Sequence, residues 1–220
     1  RALSPTENTV IHSMSNGLNW KMAELQTSNR AIRQPCFMDR FFMITLDEIA
    51  FGHCKAHPFI KVCVPYSRRL GSKGGKHVGG YMQGDYVEIV YVKIKSLKAL
   101  LAAGVSAMFV DADVLLFKVP QLPAQREYDI ISQCERYDLN CEKNLRKKKV
   151  TDLAKLQREC TPKAQSLFPG SNINTGLIGM TPSKVTLRLL EETLQCGMAQ
   201  ERPAGNQRCL KRMLRSWSNS

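Results

Sequence analysis

Apolar and polar positions follow two alternating rhythms along this chain. Residues 9–13 (Thr-Val-Ile-His-Ser) read as a first β-strand, followed by a loop over 14–19. Residues 20–32 carry apolar side chains at 22, 25 and 32 with few breakers, which predicts a helix. Residues 41–46 (Phe-Phe-Met-Ile-Thr-Leu) form a near-continuous apolar run, the pattern of a central strand covered on both faces, and Asp47 falls at its carboxyl end. Residues 60–64 predict a third short strand, closed by Pro65. Over 93–103, Ile94, Leu97, Leu100 and Leu101 share one side while Lys95 and Lys98 lie elsewhere, an amphipathic helix that Gly104 can end. Residues 105–110 then predict a buried strand. The alternation continues without repeats, so the fold class it predicts is an α/β sandwich.

Two segments break the rhythm. Residues 68–84 are dominated by Gly, Lys and Ser and read as a mobile loop. They are not a Walker A loop: Gly75-Lys76 is followed by His77 and preceded at the required spacing by Leu70, and no Gly-x-Gly-x-x-Gly occurs either. Residues 141–170 read as a basic, proline-containing insertion, and its cluster at 143–149 (Lys-Asn-Leu-Arg-Lys-Lys-Lys) as a solvated loop.

Composition narrows the class. The 220 residues, 43% hydrophobic and 23% charged, suffice for one globular domain over 1–220 and exclude a disordered or collagenous chain. The longest apolar run, 99–110, contains Gly104 and Ser106 and falls short of the roughly 18 residues of a membrane span. A net charge of +13 is what a nucleic-acid binder would carry. The surplus is spread over both halves, however, and no aromatic residues interleave the basic cluster to stack bases, so nucleic acid is not the expected partner. An anionic ligand such as a sugar nucleotide, an acidic polysaccharide or a membrane surface suits the charge equally well.

Eight cysteines, at 36, 54, 63, 134, 141, 160, 196 and 209, form no Cys-x-x-Cys pair. His53, Cys54, His57 and Cys63 fit no standard zinc finger, and buried thiols or a disulfide are the better reading. The even count is compatible with an oxidising compartment.

Candidate chemistry concentrates at Asp111-Ala112-Asp113, which follows the strand at 105–110 and precedes Val114-Leu115-Leu116-Phe117. Two carboxylates about 4 Å apart repel by roughly 4 kcal/mol at an effective dielectric near 20. A divalent cation removes that cost, and hard oxygen ligands suit manganese or magnesium. As a plain turn, Asp-x-Asp is short and common. Its place beyond a strand's carboxyl end, where open α/β sheets bind ligands, favours the chemical reading.

The chain resembles the nucleotide-diphospho-sugar transferases of plants and algae, the type that includes cell-wall xylosyl- and arabinosyltransferases. The likeness runs through Asn16, Leu46-Asp47-Glu48, Lys93, Gly104, Phe109-Val110-Asp111-Ala112-Asp113-Val114, Pro120, Tyr128-Asp129-Ile130-Ile131-Ser132, Ile173-Asn174-Thr175-Gly176-Leu177 and Asn206-Gln207. It implies a single Rossmann-like domain of the glycosyltransferase A type, with a mixed central sheet and helices on both faces. It also implies transfer of a sugar from a nucleotide-diphosphate donor, a UDP-sugar, to a hydroxyl of a glycan or glycoprotein, with retained anomeric configuration. Manganese or magnesium would be held by Asp113 directly, with Asp111 reaching the metal through water or facing the ribose. Asn16, Asp47 and Lys93 would serve the nucleotide, with Lys93 neutralising a phosphate. Asn174, Thr175, Gly176 and Asn206 would serve the sugar and acceptor, and Gln207 would belong to the catalytic group with Asp111 and Asp113. The likeness further implies a Golgi-lumen catalytic domain whose membrane anchor lies outside this segment.

The chain departs from the family at Asn206-Gln207, where relatives commonly have Asp-Gln. An amide is neither base nor nucleophile. A member that binds sugar nucleotide or glycan without turnover is therefore one alternative, and a basic nucleic-acid-binding protein is the other.

Overall fold

The computed structural model describes residues 9–33, 38–66, 85–114, 129–134, 144–148, 151–152, 155, 173–198 and 205–218. The Gly/Lys-rich segment 68–84 and most of 141–170 lie outside them. Within the basic cluster, residues 144–147 form a helical turn rather than the expected loop, with Arg146, Lys147 and Lys148 exposed.

The described strands are β1 (Val10–Ser15), β2 (Phe41–Thr45), β3 (Val62–Pro65), β4 (Ala107–Val110), β5 (Ile130–Cys134) and β6 (Ile173–Met180). The helices are α1 (Trp20–Arg33), α2 (Glu48–Ala56), α3 (Asp85–Ala102), α4 (Lys184–Met198) and α5 (Asn206–Ser218). One six-stranded sheet has the order β3-β2-β1-β4-β6-β5. β3, β2, β1 and β4 are parallel, while β6 runs antiparallel to both β4 and β5. The sheet is mixed, with helices on both faces.

Side-chain alternation explains the layers. Ile11, Phe41, Met43, Met108 and Val110 face α1 and α2, meeting Trp20, Ala23, Ala50 and Cys54. Ala107, Phe109, Ile178 and Met180 face the other way, onto Tyr91, Ile94, Leu97 and Leu101 of α3, Leu189, Leu190 and Leu194 of α4, and Leu210 of α5. Gly104 ends α3 at a φ of 76°, where only glycine is free of a Cβ penalty. The helix starts at Asp85, eight residues before the amphipathic pattern that marks it in the sequence. Its first half is rich in Ile89, Val90 and Val92, weak helix formers whose packing overrides their propensity.

Cys54 bonds Cys63, tying α2 to β3, so the zinc reading of that cluster does not stand. His53 and His57 instead pack on the Trp20 ring. A second disulfide, Cys196–Cys209, ties α4 to α5. Loops of this length stabilise a fold by about 3 kcal/mol each when closed by a disulfide.

Candidate functional site

Three turns at the carboxyl ends of parallel strands build the site. After β1, the Asn16 side chain accepts from the Asn19 amide at 2.9 Å, shaping the turn that opens α1. After β2, Asp47 caps α2 by accepting from the Ala50 amide at 2.7 Å. The same carboxylate accepts from the Gly17 amide at 2.9 Å, clamping the first two turns together. A side chain at 17 would put Cβ 2.8 Å from Ile49, so only glycine allows this approach.

The third turn follows β4 and carries Asp111 and Asp113. The Val114 amide returns to the Asp111 carbonyl at 3.1 Å, and the Asp111 amide donates to Gly176 of β6 at 2.6 Å. Gln26, buried on α1, donates its side-chain amide to the carbonyls of Asp111, at 2.9 Å, and of Val114. A polar residue on the face of α1 that otherwise buries Ala23 was the sequence signal for this brace. A Cβ at Gly176 would lie 2.9 Å from Asn174 Oδ1 and 3.1 Å from Asp111 Oδ2, so glycine gives the carboxylate its room.

Beneath this turn, Lys93 projects from the middle of α3 and is buried, not at a helix start. Its Nζ donates to both Asp111 oxygens at 3.1 Å and to the Thr175 carbonyl at 3.3 Å. It also lies 4.9 Å from the Phe109 ring centroid. Burial pushes the Asp111 carboxyl above the ordinary range, Lys93 pulls it back, and Asp113 pushes it up again. The repulsion expected between the two aspartates is thus partly relieved by an ammonium of the chain itself. Behind Lys93, Thr175 donates to Asn206 Oδ1 at 3.4 Å, and the Asn206 amide donates to the Val90 carbonyl at 2.7 Å.

Above the turns lies an open cleft of about 550 Å³. Its lining is both apolar, with Met14, Leu18, Met22, Leu46 and Ile89, and polar, with Asn16, Asn19, Lys93, Asp111 and Asp113. Asp113 is exposed there. Of the residues singled out in the sequence, Asn16, Lys93, Asp111 and Asp113 therefore meet in one cleft. Asp47 sits in the clamp between turns instead of the lining. Thr175, Gly176 and Asn206 stand behind Asp111, Asn174 bends back onto the Gly176 amide at 2.7 Å, and Gln207 lies at the start of α5.

Among the described residues no group of three or more His, Cys, Asp or Glu converges. The cleft offers one exposed carboxylate, Asp113, and one ion-paired carboxylate, Asp111. Such a pair fits a hard cation whose other positions are filled by diphosphate and water oxygens, and does not fit a closed all-protein cage.

An acidic turn at the carboxyl end of a parallel strand of a mixed sheet, beside an open cleft lined by both apolar and polar side chains, is the arrangement by which open α/β sheets take ligands. The chain belongs to the nucleotide-diphospho-sugar transferase family, whose model matches residues 36–220. Among solved structures it is similar to the bifunctional glycosyltransferase WbbM in its apo form, with a TM-score of 0.50 and 11% identity over 94% of this chain. It spans 37% of that protein, and at this identity the likeness concerns the fold alone. No curated protein matches the chain.

Proposed function

We propose that this chain is a metal-dependent glycosyltransferase that moves a sugar from a UDP-sugar to a hydroxyl of a glycan or glycoprotein, with retention of configuration. The observation that carries the reading is the meeting of Asn16, Lys93, Asp111 and Asp113 in one cleft. Apolar lining residues such as Met14, Leu46 and Ile89 suit the base and ribose, and Asn16, Lys93, Asp111 and Asp113 suit the diphosphate. Manganese or magnesium held by Asp113, with Asp111 beside it, would stabilise the charge that develops on the departing diphosphate.

The chain's own residues supply positioning. Gln26 and Gly176 fix the acidic turn, and Lys93 holds the Asp111 carboxylate toward the cleft without needing a proton transfer. The two disulfides support folding in an oxidising compartment such as the Golgi lumen, and the likeness to cell-wall transferases suggests the acceptor class. Reading the chain as a binder without turnover drew on Asn206; that amide has its own structural bonds, which weakens the case.

A panel of sugar nucleotides, screened by thermal shift with and without manganese and then by release of nucleotide diphosphate, tests the proposal. At least one UDP-sugar is expected to raise the melting temperature only with metal and to be turned over. Salt-sensitive retention on DNA without any sugar-nucleotide response would favour the nucleic-acid reading instead.

A further inference from the structure

We infer that Asn206 is a positioning residue for Asp111, acting through Thr175 and Lys93, and not a contact to the acceptor. The inference rests on the nucleotide-sugar reading of the cleft. Asn206 is buried to 4% exposure at the start of α5, behind β6. Its Nδ2 donates to the Val90 carbonyl at 2.7 Å, and its Oδ1 accepts from the Gln207 amide at 2.7 Å and the Thr175 hydroxyl at 3.4 Å. The side chain therefore works as donor and acceptor at once, which an amide can do and a carboxylate cannot.

Two of its three bonds bear on Lys93. Val90 lies one helical turn before Lys93, so the bond to its carbonyl pins the register and rotation of α3 where the lysine projects. Thr175 accepts from Lys93 through its carbonyl at 3.3 Å and lies next to Gly176, whose carbonyl takes the Asp111 amide. A chain of polar contacts thus runs from the first residue of α5 to the first aspartate of the acidic turn, joining α3, β4, β6 and α5. An aspartate at 206 would set an anionic oxygen 2.7 Å from the Val90 carbonyl, two acceptors facing each other with no proton between them. The asparagine is thus a requirement of this packing, not a lost catalytic carboxylate.

The test uses Asn206→Asp and Thr175→Val, the second keeping the β-branched shape of a buried strand residue. Three quantities are read: UDP-sugar hydrolysis without acceptor, transfer with acceptor, and the ¹⁵N ammonium resonance of Lys93, assigned by its disappearance in Lys93→Arg. In both variants hydrolysis and transfer are expected to fall together by about 10- to 100-fold, with acceptor KM unchanged and the Lys93 resonance shifted. Transfer lost with hydrolysis intact and acceptor KM raised would make Asn206 an acceptor contact and overturn the inference. Higher turnover in Asn206→Asp would overturn it in favour of a missing carboxylate. A wild type that hydrolyses no sugar nucleotide refutes the proposed function, while the Lys93 resonance still decides the positioning: unmoved in both variants, it sinks the inference. Should Asn206→Asp fail to fold, Thr175→Val decides by the same readings.

Discussion

Replacing Lys93 with methionine removes the one ammonium that faces Asp111 in the described structure, and the consequence can be worked from the geometry. Nζ lies 3.1 Å from both carboxylate oxygens. At an effective dielectric near 20 the attraction is about 5 kcal/mol, much of it offset by the cost of burying the ammonium. Removing one partner of a buried pair typically costs about 3–5 kcal/mol, but the Asp111 side chain keeps 30% exposure, so about 2–3 kcal/mol is the expected loss. For a chain of this length that is a drop of about 5–10 °C in melting temperature. The pH dependence follows from the direction of the Asp111 shift. Burial already raises its pKa and Lys93 opposes the rise, so Lys93→Met raises it further. A carboxyl with a raised pKa binds its proton more tightly when folded, so it favours the fold at low pH and this stability is lost as pH climbs through the raised value. The deficit of Lys93→Met relative to wild type should therefore shrink on acidification from about pH 8 to about pH 5. Adding Asp111→Asn should recover most of it at neutral pH, since neither charge remains. Calorimetric melting of the wild type, single and double variants across that range is the assay. A deficit that is absent, that stays constant with pH, or that the double variant fails to relieve would refute an ion pair at this site.

Three further expectations concern His12, Gly176 and the Cys196–Cys209 bond. Burial holds His12 down to about 3, whereas the unfolded imidazole protonates near its ordinary value. Stability from this residue is complete above about pH 6.5 and is lost as pH falls, by about 2 kcal/mol at about pH 5; urea unfolding of His12→Gln should show that acid sensitivity reduced. Gly176→Ala places a methyl against Asn174 and Asp111 and should lower donor hydrolysis by about 10- to 100-fold, read by steady-state kinetics at saturating UDP-sugar. Opening the Cys196–Cys209 bond by serine replacement of both residues should cost about 3 kcal/mol in chemical unfolding.

Much of the sheet was legible because strand runs such as 41–46 and 105–110 are nearly all apolar and end in turn residues. Gly104 marked the end of α3 by its composition alone. The start of α3 was not legible, since Ile89, Val90 and Val92 carry β-branched side chains whose preference is decided by what they pack against. Asp111 and Asp113 stood out less by the short, common Asp-x-Asp pattern than by their place at the carboxyl end of an apolar strand run. Lys93 did not reveal its depth: a lysine in an amphipathic segment reads as solvated unless its partner, eighteen residues away, is known to lie against it. The donor role of Asn206 was invisible for the same reason, and Gln26 offered only its polar place on the buried face of α1, since both make contacts to backbone carbonyls that only the fold brings near. The pairing of Cys196 with Cys209 likewise depends on the packing of α4 on α5.

The most direct measurement is titration calorimetry of UDP against wild type and Asp113→Ala, each in manganese and in chelator. Expected is binding by the wild type in manganese, at least tenfold weaker binding in chelator, and a comparable loss in Asp113→Ala even with manganese, a change of about 1.4 kcal/mol or more. Equal UDP affinity in manganese and chelator, or an Asp113→Ala variant that binds as the wild type does, would contradict a diphosphate site organised by metal at the acidic turn.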